Sequence, residues 1–318
     1  MQQKLNKVFV TILFASSLLG QNVPLSVTEQ INQATKDIDA LSSVEIVTLM
    51  NQQDHNIPAA IAPYVAEIAR AASVVADRLK MGGRLIYFGA GSSGRLGVLD
   101  ASECPPTFSA QSEQVVGIIA GGDYALRNAI ENVEDSSADG INDLKNVGIT
   151  KNDVACGIST SGAAAYVSAG LNYAKECGCF TICLTCNPNN QDKNVVDCFI
   201  APNVGPEVVT GSTRLKAGTA TKMVLNMITT TAFILRGKVF GNLMVDLKPC
   251  NKKLVKRAKR IIKIILGVDE GVTEDLFEKS GRSIKTALVM HKRGIARDGA
   301  EALLKQCDGN VRKAMESK

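Results

Sequence analysis

Apolar positions along this chain follow two rhythms. Near-continuous apolar runs bounded by glycine or polar residues occur at Leu85–Phe88, Val115–Ala120, Val154–Ser159, Thr181–Cys186 and Cys198–Ala201. Such runs predict strands buried on both faces, as in a parallel sheet covered by helices. Around them the spacing is helical. Ile61, Val65, Ile68, Ala72, Val75 and Leu79 form a stripe that opens at Asn56-Ile57-Pro58, with proline at an early helical position, and stops at Gly82-Gly83. Further helices are predicted over 124–133 and 164–176, and the segment from Gly211 to Leu235 holds a long apolar one. Upstream, Ser42 or Ser43 with Glu45 marks a helix start before Ile46-Val47. Strands alternating with helices predict an α/β fold, a five-stranded parallel sheet with helices on both faces.

Beyond Cys250 the pattern changes. Leu254, Ala258, Ile261, Ile262 and Ile265 line one helix face and Lys/Arg residues crowd the other, which reads as a solvated surface. Short helical segments follow at 274–279, 283–292 and 298–306, with glycines between them. The chain therefore divides into an N-terminal extension (1–26), an α/β body (27–250) and a small helical C-terminal domain (251–318). Lys4 and Lys7 precede an apolar run, Val8–Leu19, with Ala15-x-Ser17 as a tolerable cleavage site. This is signal-like, yet too short to span a bilayer comfortably. The alternative is an extension ahead of a cytoplasmic protein. The cysteines favour it: nine, an odd number scattered through expected core strands, read as reduced thiols.

At 318 residues, 45% hydrophobic and 21% charged, the composition is that of an ordinary globular protein with ample core. The net charge of +5 is mild, and few aromatics with no tryptophan argue against stacking on nucleic-acid bases or sugar rings. His55 and His291 are the only histidines, so a histidine-based metal site or triad is excluded and acid–base work falls to carboxylates, Lys, Tyr or Cys. Cys177, Cys179, Cys183 and Cys186 invite a zinc reading. Cys183 and Cys186, however, fall on one expected strand three residues apart, and so point to opposite faces. No metal is expected.

Ligands of open parallel sheets sit beyond the carboxyl ends of the strands, which gathers four loops. Gly89–Gly94 (GAGSSG) joins the first strand to a helix start, where free backbone N–H groups and the hydroxyls of Ser92 and Ser93 suit a phosphate. Its Gly-x-Gly-x-x-Gly spacing also fits a dinucleotide fingerprint, but no acidic residue ends a second strand where ribose recognition wants one. Gly121-Gly122-Asp123 is the second loop and Ser159-Thr160-Ser161-Gly162 the third. The fourth carries Glu207, Ser212, Thr213, Arg214 and Lys216 ahead of the long helix. Hydroxyls, amides and two cations with nothing aromatic fit a sugar phosphate better than a nucleotide. Two carboxylates stand out. Glu103 lies in a Ser-Glu-Cys-Pro-Pro turn, and Glu134 closes the helix after the second loop, on a face able to aim it at the same pocket. Carboxylates with separated pKa values can remove a proton beside a carbonyl and protonate a leaving group.

GAGSSGRLGVLDASECPPTF, IAGG, ENVEDS, GPEVVTGSTRLKAGTATKMVLNM and GKVFGNLMVDL, with VTEQ and ATKDID upstream, together resemble the N-acetylmuramic acid 6-phosphate etherases. These lyases have the sugar isomerase (SIS) fold and are related to the animal glucokinase regulatory protein. The resemblance runs from about Val27 to the C-terminus. It implies cleavage of the lactyl ether of N-acetylmuramic acid 6-phosphate to GlcNAc 6-phosphate and D-lactate, without metal or organic cofactor. It implies Glu103 as the acid protonating departing lactate and Glu134 as the second carboxylate, the C2 base. Phosphate and sugar would be held by Ser92, Ser93, Gly94, Ser161, Ser212, Thr213, Arg214 and Lys216. It further implies a homodimer acting on a small-molecule sugar phosphate, with no nucleic-acid or membrane partner. The family's third loop reads Ser-Gly-Arg-Thr-Pro-Tyr, whereas here Ala163-Ala164-Ala165 follow Ser161-Gly162. A charge-assisted contact is thereby lost from a substrate-facing loop, which keeps a non-catalytic sugar-phosphate-binding regulator in view. A sugar-phosphate-responsive DNA-binding regulator lacks a helix-turn-helix ahead of the sheet.

Overall fold

The computed structural model describes residues 26–317; the signal-like stretch lies outside them. Five parallel strands, β1 (Leu85–Gly89), β2 (Val115–Ile119), β3 (Val154–Ile158), β4 (Phe180–Leu184) and β5 (Cys198–Ile200), form one sheet in the order β2-β1-β3-β4-β5. Registers such as Leu85 opposite Val115 and Val154 keep the strand ends level, so the loops that follow them share one edge. β1 and β3 are buried along their whole length, which is why they read as unbroken apolar runs. Arg84 and Asp153 lock the opposite ends of these two strands. The guanidinium of Arg84 donates to both carboxylate oxygens of Asp153 at 3.1 and 2.8 Å. It also donates to the carbonyls of Val147 and Gly148.

One face of the sheet is covered by α2 (Ile57–Ile61), α3 (Val65–Lys80), α4 (Gly91–Phe108) and α8 (Lys216–Leu235), while α1 (Ser43–Asp54), ahead of them, buries none of its residues. Its core joins Ile68, Val75 and Leu79 to Val224, Leu225 and Ile228. The run 43–80 is long and apolar enough to cross a bilayer by length and composition. Here it is broken at Pro58 and Pro63, and its buried positions pack on α8, as a core helix does. Ser42 and Glu45 complete a capping box at the start of α1. The other face carries α6 (Ser137–Asn146) and α7 (Ala165–Glu176), with Leu144, Tyr166 and Leu171 at its centre. Cys179 and Cys183 belong to this second core and Cys186 to the first, so the zinc-like spacing is split across the sheet. β4 ends at Leu184, which puts Cys186 beyond the strand expected to hold it.

Three expectations are revised. The helix expected over 124–133 is the six-residue α5 (Gly122–Arg127), and α6 is an additional element. Glu134 sits in a 3-10 turn, Val133–Asp135, entered through Asn132 in the left-handed region (φ 64°). The expected Ser-Glu-Cys-Pro-Pro turn is the end of α4, which continues through Pro105 and Pro106 to Phe108. Prolines so close to the C-terminus remove only helical hydrogen bonds of the last turn, and the helix stops at Ser109 (φ 50°).

Downstream, α9 (Lys252–Leu266), α10 (Glu270–Lys279), α11 (Ile284–Arg293), α12 (Arg297–Gln306) and α13 (Val311–Glu316) enclose a separate core of Ile262, Phe277, Leu288 and Val311. Val245 and Leu247 join it from the connecting segment. Asp246 between them pairs with Lys238 at 2.6 Å and Lys285 at 2.9 Å, and its carbonyl accepts from the Ser109 hydroxyl.

Candidate active site at the strand ends

Beyond β1 and β3 a cavity of about 250 Å³ is lined by Glu29, Gly91, Ser92, Ser93, Glu134, Ser159, Thr160, Ser161, Gly211 and Thr213, among others. The first donors come from the start of α4, where Ala90 caps the helix without a side-chain hydrogen bond, leaving amides of the first turn for a ligand. α4 reaches this position because Gly94 has no side chain: a Cβ there would lie 2.4 Å from the Gly89 carbonyl oxygen and 2.7 Å from Ile119 Cγ1. Gly94 therefore seats the helix on the sheet and does not line the cavity.

The loop 159–164 brings the next donors. The Asn187 and Asn190 carboxamides donate to the carbonyls of Ser161 (3.0 Å) and Gly162 (3.1 Å). Gly162 is left-handed (φ 74°), and a Cβ on it would stand 2.3 Å from Asn190 Nδ2. The Ser159 and Ser161 hydroxyl oxygens accept from the Gly162 and Ala163 amides, so each hydroxyl hydrogen is free to face the cavity. Next to Ser161 a second space of about 850 Å³ opens, lined by Ala163, Ser168 and the carboxamides of Asn172, Asn187, Asn189 and Asn190.

Glu134 lines the cavity, and Arg95 explains its place. One turn after Ser92, the Arg95 guanidinium donates to the carbonyls of Ala125 (2.6 Å), Leu126 (3.0 Å) and Asn128 (3.0 Å). It thus fixes the end of α5, from which the chain runs to Glu134. Arg95 is visible in the sequence only as another cation near the loop; its partners are backbone carbonyls, which no spacing reveals.

The remaining site residues are dispersed. Thr213 lines the cavity, while Ser212 is absent from its wall and Arg214 lines a neighbouring groove with Ser92, Arg95 and Lys222. Lys216 points inward: it is buried, with Nζ 3.4 Å from Gln53 Oε1, and burial lowers its pKa. Glu207 is wholly buried and accepts from the Lys216 and Ala217 amides at 3.0 and 2.9 Å, capping α8. Burial pushes its pKa up, opposed by those two amides.

Glu103 stands apart from the cavity. It lines a groove of about 310 Å³ between α4 and α8 with Leu96, Leu99, Asp100, Lys222 and Asn226. Eleven residues separate it from Ser92, about three helical turns and roughly 16 Å along the axis, on the same stripe of α4. Asp100, beside it, is buried under three donors: Tyr87 at 3.0 Å, Asn226 at 2.6 Å and Thr229 at 3.2 Å. Burial raises its pKa against these hydrogen bonds, and its role is to hold α4 to β1 and α8.

Over most of its length the chain matches curated relatives. The N-acetylmuramic acid 6-phosphate etherase of Caldanaerobacter subterraneus is 48% identical over 292 residues, covering 92% of this chain and 95% of that protein. The etherase of Rhodopirellula baltica is 50% identical over 284 residues, 89% of this chain and 94% of its own. This chain belongs to the N-acetylmuramic acid 6-phosphate etherase family. Residues 67–175 also match the profile of the glucokinase regulatory protein N-terminal SIS domain. A phosphoheptose isomerase from Francisella tularensis overlays with a TM-score of 0.48 at 18% identity, covering 61% of this chain and all of that one. Ser161 lines both the cavity and the amide-lined space, and Ala163, two residues on in the same loop, lines the latter.

Proposed function

We propose that this protein is a carbon–oxygen lyase that cleaves the D-lactyl ether of N-acetylmuramic acid 6-phosphate. The observation that carries the reading is the single cavity in which Ser92, Ser93 and Ser161 converge with Glu134, in a chain of this family. Phosphate binds the serine hydroxyls and the amides at the start of α4. In the open-chain sugar the C1 aldehyde acidifies the C2 proton, which the Glu134 carboxylate removes. The C3–O bond breaks, Glu103 protonates the departing lactate, and water then adds across the resulting alkene. The carbonyl of the substrate serves as the electron sink.

Glu103 reaches that sugar from a second copy of the chain. Within one protomer it is too far along α4, and α4 and α8 leave large apolar side chains uncovered: Leu99, one turn before Glu103, is 48% exposed, and Ile234 and Leu235 at the end of α8 are 47% and 56% exposed. A homodimer that covers this surface removes it from water and supplies the second carboxylate. Buried thiols fit a reducing, cytoplasmic setting. Cys104 and Cys186 have their pKa pushed up to about 12 by burial, far from reactive thiolates.

The test is release of D-lactate from N-acetylmuramic acid 6-phosphate by the purified chain. Tight sugar-phosphate binding without lactate at high protein concentration favours the rival, a non-catalytic regulator, which the Ala163–Ala165 loop supports.

A further inference from the structure

The charge in the cavity is unusual for an anion site. Among the described residues its lining includes two carboxylates, Glu29 and Glu134, and no lysine or arginine. Arg214 lines the neighbouring groove and Lys216 is turned inward. Within one protomer a phosphate here would meet neutral donors alone among the described residues, and an ionised carboxylate cannot hydrogen-bond a fully ionised phosphate oxygen. Whatever faces Glu29 has to be a hydrogen-bond donor.

Glu29 is held in place without being used by the fold. The strap 26–35 is fastened to the loop 206–211. Thr28 is fully buried and its carbonyl accepts from the Gly211 amide at 3.1 Å. Asn32 donates to the Pro206 carbonyl at 3.1 Å, and Thr35 to that of Val208 at 2.9 Å. The Glu29 side chain itself forms no hydrogen bond or ion pair with any described residue. Gly211 leaves it room: a Cβ there would come within 3.2 Å of Glu29 Oε2. A carboxylate delivered to a ligand cavity, kept clear by a glycine and committed to nothing else is built to accept from the ligand.

We infer that Glu29 is a substrate-binding residue that accepts hydrogen bonds from hydroxyl or amide donors of the sugar, so that the N-terminal strap selects a sugar phosphate over bare phosphate. The inference rests on the etherase reading of the cavity and assigns Glu29 no proton transfer.

Titration calorimetry with two probes, GlcNAc 6-phosphate and inorganic phosphate, tests it on wild-type protein and on Glu29→Gln and Glu29→Ala. Both variants should bind GlcNAc 6-phosphate about 10- to 100-fold more weakly, the range for a lost charge-assisted hydrogen bond. They should bind inorganic phosphate as well as wild type or better, because a repelling charge has gone. Equal weakening of both probes would make Glu29 a structural support for the loop, and no change in either would leave it without a role; both overturn the inference. Wild-type protein that binds GlcNAc 6-phosphate no better than phosphate would instead overturn the etherase reading, and this inference with it.

Discussion

At the scale of single residues, Glu103 and Glu134 are expected to separate experimentally. Glu134→Gln should suppress both lactate release and exchange of the substrate C2 hydrogen in D₂O, since no carbanion-like species forms without the base. Glu103→Gln should block ether cleavage while leaving more of the exchange, with about 10²–10⁴-fold lost at each affected step. NMR in D₂O reads both, and the reverse pattern would exchange their roles. Ala163 offers a gain-of-function experiment. It is exposed beside a space large enough for a long side chain. Ala163→Arg should return a cation to the ligand and lower KM for the sugar phosphate about 10- to 100-fold, with kcat changed far less. Steady-state kinetics decide it. How much of this was legible in the sequence varies with what fixes each residue. Ser92, Ser93 and Ser161 were legible because strand–loop–helix junctions advertise their free amides. Lys216 was misplaced because nearness in sequence says nothing of direction, and the buried Glu207 beside it draws the helix start inward. Glu29 was not singled out as a site residue: it lies in a polar stretch without periodicity, and its VTEQ motif carried only the family resemblance.

At the scale of elements, the strands were legible because burial on both faces leaves unbroken apolar runs, as at Leu85–Gly89. α4 was truncated in the reading because two prolines signal a turn, whereas the last turn of a helix tolerates them. The Arg84–Asp153 pair predicts a measurable pH dependence. Burial works against the charged Asp153, which is 2% exposed, but hydrogen bonds from Arg84 and from the Thr150 amide outweigh it and hold its pKa below 3.8. A carboxylate depressed in the folded state contributes its full stability above 3.8 and loses it as pH falls through the lower folded value. Asp153→Asn, which strands the Arg84 charge, should therefore destabilise by about 2–4 kcal/mol near neutrality. Urea midpoints of variant and wild type should converge in acid; a gap that persists unchanged there would mean that the pair acts through packing.

At the scale of the whole molecule, a site shared between copies predicts complementation. Glu103→Gln and Glu134→Gln proteins, each inactive alone, should recover activity on mixing and subunit exchange. A random twofold assembly leaves one intact site in each heterodimer, or about a quarter of wild-type activity. No recovery despite demonstrated exchange would place both carboxylates in one chain. The junction at Asp246 has a consequence of a different kind. Its carboxylate holds Lys238, just after α8, and Lys285 from the C-terminal helical region, while its carbonyl takes the Ser109 hydroxyl at the foot of α4. The two cores are thus riveted at a point from which α4 runs back to the ligand cavity. Calorimetry should show one unfolding transition in place of two, and amides of α4 and α11 should exchange through a common opening. A protease that cuts near Cys250 should leave a nicked particle whose pieces stay together, and separate only when the whole protein melts.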